Sequence, residues 1–403
     1  MLFLRNFQKK HLWYVDKICF SCYFRKRQNI NVNVNGFHCV PITYFNGIFT
    51  GIMTDFPGRQ NKATWLDEKS NVINAHGGGI LSFDGGYYWY GEHKTEGWEG
   101  RLAFLGVHAY YSTDLIHWHD LGIVLKVTDD PGSPICRGCR IERPKVLHCP
   151  ATGKFVMYFH STDADHTLAR RGLAVADSPQ GPFHFLGAKR ANAGKWPANA
   201  PVCDASLIPP EAEFVNGEND KTRLYPIYAR DVAGGQMCRD MNLFVDDDGT
   251  AYHIYSSEHN STLHIARLTP DYMDWDGYWL RVLPYAWNEG AALFKRNGWY
   301  FLLMSGCTGW NPNAARGAAA QNLAGPWFEF GNPARGDGAE TTFGTQSSAV
   351  FSVGDRYFAM LDCWNPENFI DSRYLWLELQ FPSDDRFEMW NTPYFSLIPS
   401  EIT

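Results

Sequence analysis

Residues 76–92 read HGGGILSFDGGYYWYGE, and this stretch carries the pattern on which most of the chain is built. A polar head residue, His76, comes first, and a short apolar run, an Asp-Gly turn and an aromatic run follow it. Two such runs around a Gly-containing turn are typical of a β-hairpin. The stretch is therefore predicted to form two antiparallel strands, with His76 at the start of the first.

The same pattern recurs four more times along the chain. The later copies read ERPKVLHCPATGKFVMYFH from Glu142, DMNLFVDDDGTAYHIYS from Asp240, EGAALFKRNGWYFLLMS from Glu289 and QSSAVFSVGDRYFAMLD from Gln346. In three copies a tyrosine lies eleven residues after the head, at Tyr87, Tyr300 and Tyr357. Repetition in this register indicates one structural unit that is used five times.

A second signature follows three of these hairpins, as in AYYSTDLIHWHDLG (109–122), AVADSPQGPFHFLG (174–187) and GAAAQNLAGPWFEFG (317–331). We interpret it as the third and outermost strands of a four-stranded sheet. Five such sheets predict an all-β fold, a five-bladed β-propeller with four-stranded blades, because radial repetition leaves only short, protected sheet edges. The alternative is a β-sandwich with accidental self-similarity, which five matches in register disfavour.

The propeller is predicted to span residues 63–403 as one catalytic domain, with one long insertion between blades two and three at about 188–236. The insertion is rich in Ala, Pro and Asn and lacks a strand pattern, and we expect it over one mouth of the channel. Residues 1–62 form an N-terminal extension of unassigned status. Charges interrupt its apolar run, so it is not a clean signal peptide, and Met53 is an alternative start.

Composition excludes several classes of protein. The 403 residues carry 36 Lys+Arg against 43 Asp+Glu, a net charge of −7, and 15% are aromatic. A disordered chain is poor in aromatic residues, and a broad nucleic-acid-binding face is basic. No run of about 18 apolar residues is present, which argues against a membrane helix. We expect a monomer with neither nucleic-acid nor membrane partners.

Ten cysteines include two Cys-x-x-Cys pairs, Cys19/Cys22 and Cys136/Cys139. The pairs lie too far apart in the chain for a zinc ribbon, which needs them about 15–20 residues from each other. Reduced thiols are the preferred interpretation, ahead of a single Cys136–Cys139 disulfide.

In a propeller the first strand of each blade lines the central channel, so the five heads should meet around one axis. They are His76, Glu142, Asp240, Glu289 and Gln346. Converging carboxylates in an aromatic pocket suit glycoside hydrolysis, in which one carboxyl stays protonated to act as the acid. Burial and like-charged neighbours raise its pKa enough for that role. The alternative is that these carboxylates bind water or a cation and only hold the blades together.

Other residues near the heads are candidate sugar contacts. They are Glu92, which ends the first aromatic strand, Arg143, which follows Glu142, and Thr308 and Trp310 in the run SGCTGWNPNAA. An arginine can clamp a hydroxyl or a carboxylate, and an indole can stack on a sugar ring, although a buried structural Trp is an equal alternative. His76 can be a metal ligand, a sugar ligand or a structural histidine. The run 246–248 (DDD) before Gly249 suits a hairpin turn better than a calcium loop.

The motifs NAHGGGIL, YYWYGEH, ERPKV, RDMNLFVDDDGTAYHIYSSE, SGCTGW and DSRYLWL resemble family 43 glycoside hydrolases. More narrowly, they resemble the branch of exo-β-1,3-galactanases and galactofuranosidase-like enzymes. The resemblance covers about residues 65–400, without the insertion, and it implies a five-bladed propeller and hydrolysis with inversion.

The resemblance implies a role for each head residue. Glu289 corresponds to the general acid and Asp240 to the residue that tunes its pKa. The usual base Asp is replaced by His76, and Gln346 matches a glutamine proposed to handle the water in that branch. Glu92, Glu142 and Arg143 then correspond to sugar-hydroxyl contacts. A neutral Gln is a poor base, so three options stay open: Gln346 only orients the water, Glu142 or Glu92 is the base, or activity is lost.

The leading prediction is an inverting, exo-acting glycosidase that acts on galactan or arabinogalactan-type side chains of an oligo- or polysaccharide. An α-L-arabinofuranosidase, β-galactofuranosidase or β-xylosidase on the same scaffold is one alternative, and a non-catalytic carbohydrate-binding propeller is another. No cofactor is expected to be required, and no metal site is predicted, although a structural cation in the channel is compatible with the sequence. The substrate class favours a secreted or periplasmic protein.

Overall fold

The computed structural model describes residues 58–209 and 225–397. In this part of the chain, five four-stranded antiparallel sheets follow one another along the sequence with their strands in chain order, and the fifth gains a short parallel edge strand. This confirms the predicted five-bladed propeller with four-stranded blades. In the described residues, no helix is long and apolar enough to cross a membrane.

Strand β1 (Gly58–Gln60) precedes the blades. Blade one contains β2 (His76–Phe83), β3 (Gly86–Glu92), β4 (Gly106–Ser112) and β5 (His119–Lys126). Blade two contains β6 (Arg140–Cys149), β7 (Lys154–Thr162), β8 (Arg170–Ala176) and β9 (His184–Lys189). Blade three contains β10 (Met241–Val245), β11 (Ala251–Ser257), β12 (Thr262–Leu268) and β13 (Trp275–Val282).

Blade four contains β14 (Asn288–Arg296), β15 (Trp299–Gly306), β16 (Arg316–Ala320) and β17 (Phe328–Gly331). The short β18 (Ala334–Arg335) adds a parallel edge strand to blade five, which contains β19 (Gln346–Val353), β20 (Arg356–Cys363), β21 (Arg373–Ser383) and β22 (Arg386–Trp390). Strand β23 is Tyr394–Ser396, helix α1 is Ile227–Asp231, and single 3-10 turns cover Trp98–Arg101, Ala205–Leu207, Ala339–Thr341 and Phe369–Asp371.

The core is divided into five apolar clusters, and each lies between two neighbouring blades. The cluster between blades one and five is rich in tryptophan and includes Trp65, Trp89, Trp118 and Trp376, all buried. Because every blade buries both of its faces against its neighbours, the ring closes without an exposed sheet face. Most aromatic residues of the repeats therefore serve packing, at about 25 cal/mol for each Å² of apolar surface buried.

Pairing of the chain ends reinforces the closure between blades five and one. Strand β1 pairs with β23, and Asn61 Nδ2 donates to Trp376 O at 3.1 Å. Residues 58–62 thus contact the propeller, whereas the rest of the predicted extension, with the alternative start Met53, lies outside the described residues. The domain boundary at residue 62 stays a prediction.

The described part of the insertion packs along blade three. Ala198 N donates to Trp279 O at 2.8 Å, Trp279 Nε1 donates to Lys195 O at 3.1 Å, and helix α1 joins the cluster between blades two and three. Arg230 of α1 lies 3.4 Å from His259, in the loop that joins β11 to β12. The described insertion therefore packs against β13, and its helix lies beside the loop whose Asn260 bonds to Glu289. The expected position of the insertion over the channel mouth stays a prediction.

The Asp-rich run before Gly249 is a hairpin turn, as preferred. Gly249 N donates to Asp246 O at 2.9 Å, and the Asp246 carboxylate accepts bonds from Lys295 at 2.6 Å and Tyr300 at 2.5 Å. The described cysteines are free thiols: Cys136, Cys139, Cys149, Cys203, Cys238, Cys307 and Cys363.

Candidate active site

Hairpin register brings a polar partner opposite each head. The pairs are His76 with Glu92, Glu142 with His160, Glu289 with Ser305 and Gln346 with Asp362, and Ser256 N donates to Asp240 O. Residues directly opposite on antiparallel strands have Cβ atoms about 4.5–5.5 Å apart. The blades therefore deliver a ring of ten polar residues to the channel.

A β-bulge follows the head in four blades, and in three of them the residue after the head has positive φ. These residues are Gly77 (φ 60°), Arg143 (φ 56°) and Gly290 (φ 58°). A Cβ at Gly77 would lie 2.1 Å from Glu92 Oε1, so only glycine fits there. Arg143 adopts this conformation with a side chain, at a cost of about 1–2 kcal/mol.

Contacts to three other blades offset that cost at Arg143. Its backbone N–H donates to Glu92 Oε1 at 3.0 Å in blade one, and Nη2 lies 3.0 Å from Asp240 Oδ2 in blade three. In blade five, Nη1 donates to Ser347 O at 2.9 Å and Nη2 to Gln346 Oε1 at 2.6 Å. Buried Arg143 is therefore the hub of the site, because its hydrogen bonds and ion pair link blade two to blades one, three and five.

Glu289 and Asp240 face each other across blades three and four. Burial, and then the negative charge of Asp240, raise the pKa of Glu289 to about 8. Asn260 Nδ2 donates to Glu289 Oε1 at 2.7 Å, and Gly290 N donates to Asp240 Oδ2 at 3.0 Å. Glu289 can therefore stay protonated at neutral pH, which a general acid requires.

Glu142 is also buried, but its pKa is shifted in the opposite direction from that of Glu289. Arg140 Nη1 donates to its Oε1 at 3.3 Å, and His160 Nδ1 and His166 Nε2 lie 2.8 and 3.4 Å from its Oε2. Burial alone would raise the pKa of Glu142, but the two histidines outweigh it and hold that pKa well below its ordinary value. Glu142 is thus an ionised acceptor, suited to bind a sugar hydroxyl.

The same three side chains, Glu142, His160 and His166, could hold a metal ion, because their ligand atoms lie within 4.8 Å of one another. Two guanidinium groups oppose a cation there: Arg140 bonds to Glu142, and Arg239 Nη1 lies 2.9 Å from His166 Nδ1. The absence of a cofactor requirement stays a prediction.

Glu92 is buried, and Lys94 links it to the aromatic residues of the site. Lys94 Nζ donates to Glu92 Oε2 at 2.5 Å and lies 5.3 and 6.0 Å from the ring centroids of Trp364 and Trp310. The ammonium group therefore binds a carboxylate on one side and indole rings on the other, and it holds the Glu92 side chain in position.

His76 is almost fully buried. Its ring stacks on Tyr374 at 4.6 Å, its Nε2 lies 3.2 Å from the Tyr374 hydroxyl, and its Nδ1 lies 3.3 Å from Asp362 Oδ1. Both ring nitrogens thus have protein partners, which is the structural role left open by the sequence. The role of His76 as a sugar contact stays a prediction.

An open pocket lies between the loops of blades four and five and encloses about 350 Å³, including its mouth. Its lining includes Trp310, Gln346, Asp362 and Trp364. The Trp310 ring packs edge-on against Trp364, with centroids 5.1 Å apart, and Thr308 Oγ1 holds the same loop by donating to Asn311 O at 2.5 Å. The pocket thus joins an aromatic wall to the polar ring.

Sequence reasoning placed the heads but missed several partners: Lys94, His160, Asn260, Ser305 and Asp362. All five cross-strand partners are the last letter of a repeat, so hairpin register alone would have identified them. Asn260 has no such signal, because it lies on a loop in which Glu258, His259 and Asn260 all have positive φ.

A carboxyl that stays protonated beside a second carboxylate, on the axis of an aromatic-lined propeller, defines a glycoside hydrolase site. Comparisons with known proteins agree with this class. The model of Glycosyl hydrolases family 43 matches residues 217–340. A comparison with curated protein sequences gives no match.

Solved structures give the particular family. The GH43 β-1,3-galactosidase BT3683, solved with galactodeoxynojirimycin, is 40% identical, with a TM-score of 0.76 over 84% of this chain and 100% of its own. The exo-β-1,3-galactanase of Clostridium thermocellum is 32% identical over 84% of this chain and 66% of its own (TM-score 0.68). That of Phanerochaete chrysosporium is 29% identical over 84% and 67% (TM-score 0.67). The chain belongs to glycoside hydrolase family 43.

Proposed function

We propose that this enzyme is an inverting, exo-acting β-1,3-galactosidase that acts on galactan or arabinogalactan-type side chains. The observation that carries the proposal is the raised pKa of Glu289, about 8, beside the Asp240 carboxylate at the channel axis. The similar structures named as β-1,3-galactosidase and exo-β-1,3-galactanases support galactose as the sugar.

In this proposal Glu289 donates its proton to the glycosidic oxygen as the bond to the anomeric carbon breaks. Asp240 keeps that proton in place through its charge, and Arg143 holds Asp240 in position. Gln346 orients the attacking water on the other side of the sugar ring. An acid and a separately held water on opposite faces lead to inversion at the anomeric carbon.

Substrate binding is assigned to the polar and aromatic groups that surround this centre. Glu92 and Glu142 accept bonds from sugar hydroxyls, and Arg143 donates to them. Trp310 and Trp364 offer apolar ring surface for a pyranose face. The monomeric state stays a prediction.

One product assay tests the proposal directly. The enzyme is incubated with β-1,3-galactotriose, and ¹H NMR follows the first minutes of the reaction. We expect galactose with the α-anomer formed first, and galactobiose as the second product. Release of β-galactose first would overturn inversion. In a parallel incubation with β-1,3-galactotetraose, early formation of galactobiose without galactose would overturn exo action.

Nitrophenyl glycosides of arabinofuranose, galactofuranose and xylose test the sugar in the same way. Faster turnover of any of them than of the β-1,3-galactan oligomer would reassign the substrate. Calorimetric binding of galactotriose without any product would instead indicate a carbohydrate-binding propeller.

A further inference from the structure

The side-chain amide of Gln346 is held from three directions. Its Oε1 accepts bonds from Arg143 Nη2 at 2.6 Å and Trp364 Nε1 at 3.0 Å, and its Nε2 donates to Ser305 Oγ at 3.1 Å. Two donors at one oxygen fix the orientation of the amide and occupy both of its lone pairs. A water beside Gln346 therefore meets an N–H donor, which orients the water but takes no proton from it.

Hydrolysis with inversion also needs a carboxylate that accepts the proton of the attacking water. Glu92 and Glu142 each accept a hydrogen bond from a cationic side chain, Lys94 and Arg140, which occupies oxygen lone pairs that an attacking water would need. Asp240 adjoins the general acid, on the side of the leaving group. None of these three carboxylates suits the role.

Asp362 is the remaining carboxylate at the site. It lies directly opposite Gln346 on the paired strands β19 and β20, so the two Cβ atoms are about 5 Å apart on one face of the sheet. Among the described residues that line the pocket beside Gln346, Asp362 is the one acidic residue.

The partners of Asp362 hold it without a Lys or Arg contact among its hydrogen bonds. Oδ2 accepts a bond from Gly77 N at 3.1 Å, and Oδ1 lies 3.3 Å from His76 Nδ1. An ionised carboxylate offers about four acceptor sites, so each oxygen keeps one for water. Blade one, whose head is His76, therefore orients a base that blade five supplies.

We propose that Asp362 is the general base of the reaction, an inference that rests on the proposed hydrolysis but not on the identity of the sugar. The water oxygen bonds to the anomeric carbon while the bond from that carbon to the glycosidic oxygen breaks. One water proton passes to Asp362, and the proton of Glu289 passes to the leaving oxygen. Afterwards Asp362 releases its proton to solvent and Glu289 takes one up.

The first test compares Asp362→Asn with Asp355→Asn, a matched control at the exposed turn of the same hairpin. General base catalysis contributes typically 10²–10⁴-fold, so kcat of Asp362→Asn should fall by at least about 10²-fold with little change in KM. Asp355→Asn should match the wild type. If a folded Asp362→Asn retains more than a tenth of wild-type kcat, the proposal is wrong.

Chemical rescue separates a base from a residue that only positions His76. Asp362→Ala removes the carboxylate, and azide, which needs no base, can then attack the anomeric carbon. We expect azide to increase substrate consumption at least tenfold and to yield the α-glycosyl azide, detected by NMR. A folded Asp362→Ala that azide does not rescue, with His76→Ala equally impaired, would show a positioning role and overturn the proposal.

Asp362→Glu provides a second variant for the case in which the first variants fail to fold. It keeps a carboxylate, so we expect partial activity and an acidic limb in the pH profile of kcat/KM, and a folded but inactive variant would count against the proposal. The substrate is whichever glycoside the wild type cleaves best. If that glycoside is not a galactoside, the proposed substrate fails while the role of Asp362 is still tested. A wild type that cleaves none overturns both.

Discussion

Glu142 and Glu289 occupy the same place in blades two and four, yet their carboxyl groups behave in opposite ways. Each is a glutamate at a strand head, opposite its hairpin partner, and each is followed by a β-bulge residue of positive φ. The pKa of Glu142 is held well below its ordinary value, whereas that of Glu289 is raised to about 8.

The difference in pKa comes from the residue opposite each glutamate on its hairpin and from charged residues of a neighbouring blade. Glu142 lies opposite His160 and receives further bonds from Arg140, so donors surround it. Glu289 lies opposite the small Ser305 and adjoins Asp240, whose charge opposes its ionisation. In both blades the repeat brings a carboxyl group to the axis. The residues around that carboxyl group decide whether it donates a proton or accepts hydrogen bonds.

Glu289→Gln should have the largest effect, because it removes the proton that the leaving oxygen needs. We expect kcat on galactotriose to fall by about 10³-fold, within the usual range for general acid catalysis. The matched control is Glu329→Gln, an exposed glutamate of the same blade that should keep wild-type turnover. Activity within tenfold of the wild type would remove Glu289 from the acid role.

Asp240→Asn should remove the feature that distinguishes Glu289 from Glu142. Without the aspartate charge, and with Arg143 no longer neutralised, the pKa of Glu289 should fall. The basic limb of the pH profile of kcat/KM, near pH 8 in the wild type, should therefore move to lower pH. Activity at pH 8 should drop more than activity at pH 5.5, and an unshifted basic limb would contradict this account.

Substitution of Glu289 and of Glu142 by glutamine should change the thermal stability in opposite directions. The raised pKa of Glu289 means that the native state is penalised increasingly as pH rises from about 4.5 to 8, so Glu289→Gln should raise the Tm at pH 8 and not at pH 4. The lowered pKa of Glu142 stabilises the native state above about pH 4.5, so Glu142→Gln should lower the Tm at pH 7.

Calorimetry of the two variants from pH 4 to 9 measures both shifts. Each kcal/mol corresponds to about 2–4 °C for a domain of 150–250 residues, so changes of a few degrees are expected. Shifts of the same sign in both variants at neutral pH would refute the comparison.

The sequence was sufficient for the ring of heads because a fivefold repeat fixes topology. In each repeat an apolar strand, a turn and an aromatic strand place the head residue at the axis, whatever the conformation of the loops. Glu142, Asp240 and Glu289 could therefore be predicted to lie close together. The cross-strand partners were within reach as well, since Asp362 closes the repeat that begins at Gln346.

The features of the site that the sequence could not predict depend on contacts between blades and on irregular backbone. The strength of Glu289 as an acid depends on Asp240 and Asn260, which belong to a different blade. The hub role of Arg143 depends on a left-handed backbone that sequence patterns do not reveal for a non-glycine residue. Register is a local property, whereas these features arise only when the ring closes.

Asn260→Ala should give the smallest effect and the finest test of the acid. Its Nδ2 donates to Glu289 Oε1 at 2.7 Å, and a donor favours the ionised form of a carboxyl group. Removing it should raise the pKa of Glu289 further. The basic limb of kcat/KM should then move to higher pH, opposite to its movement in Asp240→Asn, while kcat at pH 6 changes only a few-fold. Asn322→Ala, an exposed asparagine of blade four, is the control. A shift to lower pH in Asn260→Ala would mean that the amide binds the substrate and does not tune the acid.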